Sequence, residues 1–239
     1  MLLLSYDVES TGLDVIKDEV IEVGAVLWST GQRKALESVG FLVQAEKPIS
    51  EEITGITGIT QAAVDAFGYE SGDALGSVID LMSQADVVIG HNVKRFDERI
   101  TRSWASRLQT ELPDKLWADT MTDIPGVKGE QLVTMAAKHG FVNLFPHSAL
   151  ADCQTVVKLV SGYDIDKIIE RAKSPTVVVQ SHQGRHENDL VKKLQFRWNP
   201  DRKIWWKAVK EMDIEQLKKD ASFALSILDK PLAEELLAL

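Results

Sequence analysis

The sequence predicts an α/β chain: a mixed five-stranded sheet flanked by helices, followed by a small α+β C-terminal module. Three observations lead there. Apolar, β-branched runs crowd the first 44 residues with short connections between them. Two later, compact apolar runs alternate with stretches of helical spacing, the pattern of strands and helices layered on one sheet. The pattern then restarts after Ser174-Pro175, because a residue before proline is steered out of helical conformation.

Leu2 to Val8 reads as the first strand, with a turn at Thr11-Gly12. Val20 to Trp28 and Val39 to Gln44 supply two more, and their short connections suggest an antiparallel meander. Thr60 to Ala66 and Gly72 to Ser83 have helical spacing, and Asp86 to Gly90 is a buried strand. Phe96 to Leu108 is a helix, Leu116 to Asp119 a short strand, and Glu130 to His139 a helix stopped by Gly140. Ser148 to Ser161 forms a further helix, ended by Gly162. The tail resumes with a strand at Thr176 to Val179, a helix from Glu187 to Leu194, a hairpin turning at Asn199-Pro200-Asp201, and helices after it. Domains are therefore expected at residues 1–173 and 174–239.

With 239 residues, 44% of them hydrophobic, the chain can bury one sizeable core and a small second one. Met1 to Ser5 is apolar but lacks a basic flank and runs into Asp7 and Glu9. Neither a signal peptide nor a membrane span of about 18 residues is expected, which points to an intracellular, cytoplasmic protein. The single cysteine, Cys153, excludes an internal disulfide and a cysteine-based zinc cluster, and reads as a small buried hydrophobe. Net charge is −9, yet residues 184–210 carry eight basic and three acidic side chains, a net of +5, which leaves −14 for the rest. An acidic body with a basic tail suits a catalyst whose centre needs carboxylates and whose anionic substrate needs a separate grip; it equally suits an acidic protein with a basic patch.

The acids carry the chemistry. Asp7 and Glu9 stand two apart in a strand, so their side chains leave one face roughly 6 to 7 Å apart. A strand with two acids on one face is by itself most often a solvated face. Asp97 opens a helix after the strand ending at Gly90-His91-Asn92, which puts a third acid at the carboxyl edge of the sheet, where ligands bind in α/β folds. Its bland alternative is a carboxylate at a helix start. His147 precedes, and Asp152 falls within, the first turns of another helix; a lone histidine there is more often a cap or a surface residue. Two carboxylates about 5 Å apart repel by about 3 kcal/mol even at an effective dielectric near 20, so four in one cleft call for cations.

At these residues the sequence resembles the DnaQ-like DEDDh exonucleases. Three motifs occur in order: Asp7-Val8-Glu9-Ser10-Thr11-Gly12-Leu13, then Asn92 to Phe96-Asp97, then His147 with four residues before Asp152. Lys47-Pro48-Ile49-Ser50 leading to Gly58-Ile59-Thr60, and Asp119-Thr120, are similar to the family's connecting segments. The likeness covers residues 2 to 162. Two departures are Ser10, where threonine is commoner, and one extra residue between Asn92 and Phe96, a spacing like that of some polymerase proofreading domains.

The resemblance implies an RNase H-like fold and a 3′-to-5′ exonuclease that releases nucleoside 5′-monophosphates. It implies two divalent cations, Mg²⁺ or Mn²⁺, held by Asp7, Glu9, Asp97 and Asp152, with His147 as general base. Such ions, about 3.5 to 4 Å apart, stabilise both the attacking and the leaving oxygen of a phosphodiester. Thr11, Gly12 and Leu13 are implied to line the terminal nucleotide, and the implied substrate surface takes in Ser10, His91, Asn92 and Phe96. Arg95, Arg99 and Arg102 fall at helical spacing beside Asp97, where they either track phosphates or form a solvated face.

In the tail, Arg197 and Trp198 on one arm of the hairpin and Trp205 and Lys207 on the other interleave aromatics with bases. That pattern suits single-stranded nucleic acid, and equally the core of a small domain. His182 and His186 have the spacing of a helical metal pair without a third ligand, and read as a surface pair. Leu232 to Leu239 is a short acidic amphipathic stretch, packed on the tail or open to a partner.

DNA 3′ ends, single-stranded ones above all, are the expected substrate. RNA or oligoribonucleotide trimming is the near alternative, because no residue in the sequence separates ribose from deoxyribose. A catalytically idle nucleic-acid-binding module is the distant one, disfavoured by the full set of acids and histidine. A replication or repair protein is the expected partner, and no membrane is. No nucleophile elbow, phosphate-binding glycine loop or well-placed dinucleotide fingerprint is present.

Overall fold

Strand β1 (Leu2–Ser10) sits at the centre of the first sheet. It pairs antiparallel with β2 (Val20–Ser29), which pairs antiparallel with β3 (Lys34–Leu42); on its other side lie β4 (Val87–Gly90) and β5 (Leu116–Asp119), both parallel to it. The order β3-β2-β1-β4-β5 makes this the mixed five-stranded, RNase H-like sheet that the sequence predicts. The computed structural model describes residues 1–127 and 129–237, apart from the side chain of residue 185. The chain divides into two compact units, Met1–Ala172 and Lys173–Leu239.

Alternation along β1 decides what each face of the sheet does. Leu4, Tyr6 and Val8 point into a core built with α3 (Ser71–Gln84) and α4 (Asp97–Arg107), following the short helices α1 (Glu51–Thr57) and α2 (Gln61–Phe67). Leu3 points the other way, into a second core with α5 (Leu132–Lys138), α6 (Ala149–Val160) and α7 (Ile165–Lys173). Ser5, Asp7 and Glu9 share that second face by the same alternation.

Several boundaries differ from expectation. β3 runs Lys34–Leu42 and not Val39 to Gln44, because its register is set by pairing with β2 and its exposed edge position leaves little apolar signal. Among the described residues its outer side meets another segment only at the Val43–Tyr69 bridge. Helix α1 was not anticipated; Ser50 caps its start and Gly58, at φ +74°, ends it in the left-handed region that favours glycine. Helix α7 was not anticipated either. Helix α5 spans only Leu132–Lys138, and α4 begins at Asp97, which leaves Arg95 in the preceding turn.

The second unit holds β6 (Thr176–His182), α8 (Asn188–Lys193), β7 (Arg197–Asn199), β8 (Ile204–Lys210), α9 (Ile214–Asp220), β9 (Ala224–Ile227) and α10 (Lys230–Leu237). Its four strands form an antiparallel sheet in the order β7-β8-β6-β9. Val179, Val191, Phe196, Leu217 and Phe223 fill one face under α8 and α9, and Val178, Trp206 and Leu236 fill the other under α10. Strand β9 stands where only helices were expected; as a four-residue strand it carries too short a pattern to announce itself. Residues 238 and 239, the end of the acidic stretch from Leu232, lie outside the described residues.

Candidate active site

Helix α6 lies close against the sheet because two glycines let it. A Cβ on Gly24 would sit 2.1 Å from the Ala149 carbonyl carbon, and one on Gly40 would sit 3.1 Å from the Leu150 side chain. Gly24 pairs directly with Asp7 across β1 and β2, so the first turn of α6 passes over the strand position beside that acid. Polar contacts fix the approach. Ser5 Oγ donates to the Cys153 carbonyl at 3.0 Å, and the Cys153 thiol donates to the Gly24 carbonyl at 3.1 Å. Glu22 Oε2 accepts the Ala149 N–H at 3.1 Å, so a side chain from β2 satisfies a free amide at the start of α6.

The result is a cluster in which one carboxylate oxygen each from Asp7, Glu9 and Asp152 lies within 4.8 Å of the others. Asp152 is held from two sides. Asn143 Nδ2 donates to its Oδ1, and the His147 N–H donates to its Oδ2 at 3.1 Å. His147 itself adopts φ +63° and its side chain is exposed. Asp97 arrives from the opposite layer. Strands β1 and β4 stay paired only as far as Ser5 and Ile89, and the Val8 N–H beyond that point donates to Asp97 Oδ1 at 3.0 Å.

Burial pushes every acid of this group towards its neutral form, and neighbouring carboxylates add to it at Asp7, Glu9 and Asp97. Glu9 rises to about 8, through burial and then the charges of Glu22, Asp152 and Asp97. Asp7 is raised by burial and by Asp97, Asp152 and Glu9. Burial also raises Asp97 and Asp152, although hydrogen bonds from Val8 and Asn143 oppose it. Oxygen donors that repel one another and, among the described residues, have no lysine or arginine hydrogen-bonded to them suit a hard divalent cation.

A model of the RNase_T exonuclease family matches residues 4–160. The chain belongs to that family. Its members are DnaQ-like nucleases, and known relatives are consistent with this. The PolC-type DNA polymerase III of Thermotoga maritima is 26% identical over 177 residues, covering 70% of this chain and 13% of the relative. That of Pediococcus pentosaceus is 30% identical over 154 residues, covering 63% and 10%. The chain thus spans only about a tenth of the length of these relatives. Among solved structures, Escherichia coli exonuclease I in complex with a dA16 oligonucleotide superposes with a TM-score of 0.62 at 17% identity, covering 76% of this chain and 48% of that one. The nuclease domain of 3′hExo, a DEDDh family member bound to rAMP, gives 0.57 at 18%, covering 67% and 90%.

In this RNase_T domain the predicted substrate residues fall into two groups. Leu13 is 85% exposed at the tip of the loop after β1. The hydroxyls of its neighbours are used within the loop: Ser10 Oγ donates to the Gly12 carbonyl at 2.7 Å, and Thr11 Oγ1 to Asp18 Oδ1 at 3.0 Å. Gly12 is needed because a Cβ there would meet the Asp18 carboxylate at 2.5 Å. His91 and Asn92 are half-buried; His91 Nδ1 is bonded to Thr120 Oγ1 at 2.9 Å, and burial holds its imidazole below its ordinary pKa. Phe96 packs on the core of the α3–α4 face.

The arginine stripe keeps two of its three members, Arg99 and Arg102, which stand at i,i+3 on α4. Arg95 precedes the helix, Arg102 pairs with Glu98 at 2.9 Å, and Arg99 is exposed on α4. In the second unit Arg197 and Trp198 are strand neighbours and face opposite sides, so the four predicted tail contacts do not share one surface. His182 lies in β6, bonded to Ser226 Oγ at 2.7 Å, and His186 in a separate 3₁₀ turn, so the two share no helix.

Glu22 and Asn143 were missed, and Asp119 was noted only as part of a connecting segment. Glu22 is the lone acid in an apolar strand and pairs with Glu9, a clue available once the hairpin register is known. Asp119 Oδ1 accepts the Asn92 N–H at 2.8 Å and the Met121 N–H at 2.9 Å, and so shapes the loop that leads to Asp97. Asn143, in an irregular loop, carries no such clue.

Proposed function

We propose that the chain is a metal-dependent 3′-to-5′ exonuclease acting on DNA ends, single-stranded ends first, and releasing nucleoside 5′-monophosphates. The observation that carries this reading is the convergence of Asp7, Glu9 and Asp152 within 4.8 Å, with Asp97 beside them. Asp7, Glu9 and Asp152 would hold the cations, with Asp97 completing the set through the oxygen that does not accept from Val8. Mg²⁺ or Mn²⁺, if bound there, would supply Lewis-acid stabilisation of the attacking and leaving oxygens. His147, on an exposed loop whose backbone N–H is tied to Asp152, would take a proton from the attacking water as general base. The exposed Leu13 would pack on the terminal base, and the backbone around Gly12 would meet the terminal sugar.

The DNA reading is supported by the polymerase relatives and by the oligodeoxynucleotide complexes of exonuclease I. A second reading, RNA ends, has the support of a fold neighbour that recognises a histone mRNA stem-loop, at TM-score 0.57 and 20% identity. A replication or repair protein would be the partner in the first case.

The test is a panel of 3′-labelled and 5′-labelled single-stranded and duplex DNA and RNA, with Mg²⁺, Mn²⁺ or chelator. Shortening of 5′-labelled DNA one nucleotide at a time, lost with chelator and reduced about 10²- to 10⁴-fold in His147→Ala, is expected. Internal cleavage, or equal rates with chelator, would overturn the proposal.

A further inference from the structure

We propose that the exposed face of the β7–β8 hairpin, centred on Trp198, is a stacking platform for the unpaired bases of single-stranded nucleic acid, flanked by the lysines of α8. Trp198 lies on the edge strand of the second sheet and is 47% exposed. Its direct partner across the ladder is Trp205, so both indoles stand on the same face. Their ring centroids are 5.5 Å apart and the rings are inclined by 53°, so neither indole covers the other. Trp205 is fixed: its inner side packs with the α8–α9 core, and its indole N–H donates to the Gln183 amide oxygen at 3.1 Å. Trp198 is the ring left open beside that fixed neighbour.

The two faces of this unit present different charged groups. Helix α8 packs on the Trp205 face through Val191, Leu190 and Leu194, and its last turn exposes Lys192 and Lys193. Lys207, two residues from Trp205 on the same face, ties its ammonium to the Leu194 carbonyl at 2.8 Å and so joins the end of α8 to the hairpin. On the opposite face α10 brings Glu234 and Glu235; Arg202 pairs with Glu235 at 2.7 Å, and Arg197 lies 5.7 Å from the centroid of the buried Trp206. Arg197 and Arg202 are therefore engaged, and the open indole lies on the face that α8 packs against.

An exposed indole on the same sheet face as the exposed lysines of α8 matches a ligand with flat apolar faces and a regular negative backbone. Single strands offer both, whereas a duplex hides its base faces in its own stack. An apolar peptide would gain nothing from the lysines. Binding here requires neither a metal nor any member of the acid cluster, so it goes beyond the catalytic reading.

The test uses the full-length protein with chelator present, so that no hydrolysis occurs, and fluorescein-labelled oligothymidylate as the probe. Anisotropy titrations should show Trp198→Ala binding about tenfold more weakly, the scale of losing one base–aromatic stack, with Trp198→Phe recovering most of the loss. Lys192→Ala/Lys193→Ala should reduce the salt dependence by roughly one to two phosphate contacts. Indole fluorescence should be quenched by the oligomer in the parent protein and less so in Trp198→Ala. Hydrolysis of the p-nitrophenyl ester of thymidine 5′-monophosphate, which needs only the site in the first unit, should be unchanged in all these variants. Unaltered oligothymidylate affinity in Trp198→Ala would overturn the platform, as would an equal loss on blunt duplex, or an equal loss in the alanine and phenylalanine variants accompanied by a lowered melting temperature. Because binding is read with chelator, its outcome is independent of whether the ester is hydrolysed at all.

Discussion

At the scale of single residues, the acid cluster is a place where charge works against the fold. Glu9 is shifted from its ordinary value of 4.5 to about 8, and Asp7, Asp97 and Asp152 are raised with it. Unfolding returns these carboxylates to water, where they ionise at ordinary values, so the folded chain binds more protons than the unfolded one between about pH 4.5 and 8. Stability of the chelated protein should therefore fall as pH rises through that window. Added Mg²⁺ should flatten the fall, and Asp7→Asn should remove part of it. Thermal melts at both ends of the window, with Mg²⁺ or chelator, check this; a chelated protein equally stable at both ends would contradict it. The same Asp7→Asn variant should lose metal-dependent hydrolysis by about 10³-fold or more, since it removes a ligand of the Lewis-acid centre. Labelled single-stranded DNA gives the readout.

At the scale of elements, the site depends on how closely α6 approaches β2. A methyl group at Gly24 would press on the backbone of Ala149 and Leu150. Gly24→Ala should therefore move the first turn of α6 and destabilise the first unit by about 1 to 3 kcal/mol. A displacement of about 1 Å at Asp152 would cost about 10²-fold in turnover, although Gly24 touches no substrate. Denaturant midpoints and the turnover of labelled DNA measure the two effects. Glu22→Gln keeps an acceptor for the Ala149 N–H and removes a charge beside Glu9, so its chelated form should melt higher at the alkaline end, whereas Glu22→Ala should melt lower. These elements also show what the sequence discloses and what it withholds. The last strand of the five-stranded sheet was legible to the residue, Leu116 to Asp119, because a compact buried run has sharp edges. Helix α6 was legible because Ser148 and Gly162 bracket its apolar stripe. Helix α1, by contrast, is a seven-residue piece containing Gly55 and β-branched residues, and its caps decide for helix where propensity does not. The carboxylates could be picked out as a set only through three motifs read together. Glu22 and Asn143 escaped because their meaning arises from cross-strand register and from a loop that folds back, neither of which has a local period.

At the scale of the molecule, each unit carries its own apolar core. Trp206 is 5% exposed and sits with Val178 and Leu236 in the second unit. Trp206→Ala should leave a cavity costing about 3 to 5 kcal/mol, more than a sheet domain of this size is expected to spare. Hydrolysis of a small nucleotide ester should persist in that variant while oligothymidylate binding weakens. Circular dichroism beside the two assays would check it, and loss of both functions together would refute the division of labour.

The outermost strand of the first sheet has a further consequence. Strand β3 is exposed along most of its length and, apart from the bridge at Val43, leaves a row of backbone donors and acceptors unpaired among the described residues. A free strand margin of this kind invites a neighbouring polypeptide to add itself, the first step towards insoluble assemblies. Two features stand against it: Glu37 in the middle of the strand, and an extra residue at Leu36 that kinks it, with Leu27 opposite Glu37 and Trp28 opposite Ala35. Colloidal behaviour at high concentration should thus depend in part on one side chain of this edge. Glu37→Val should raise light scattering with no loss of turnover per dissolved molecule.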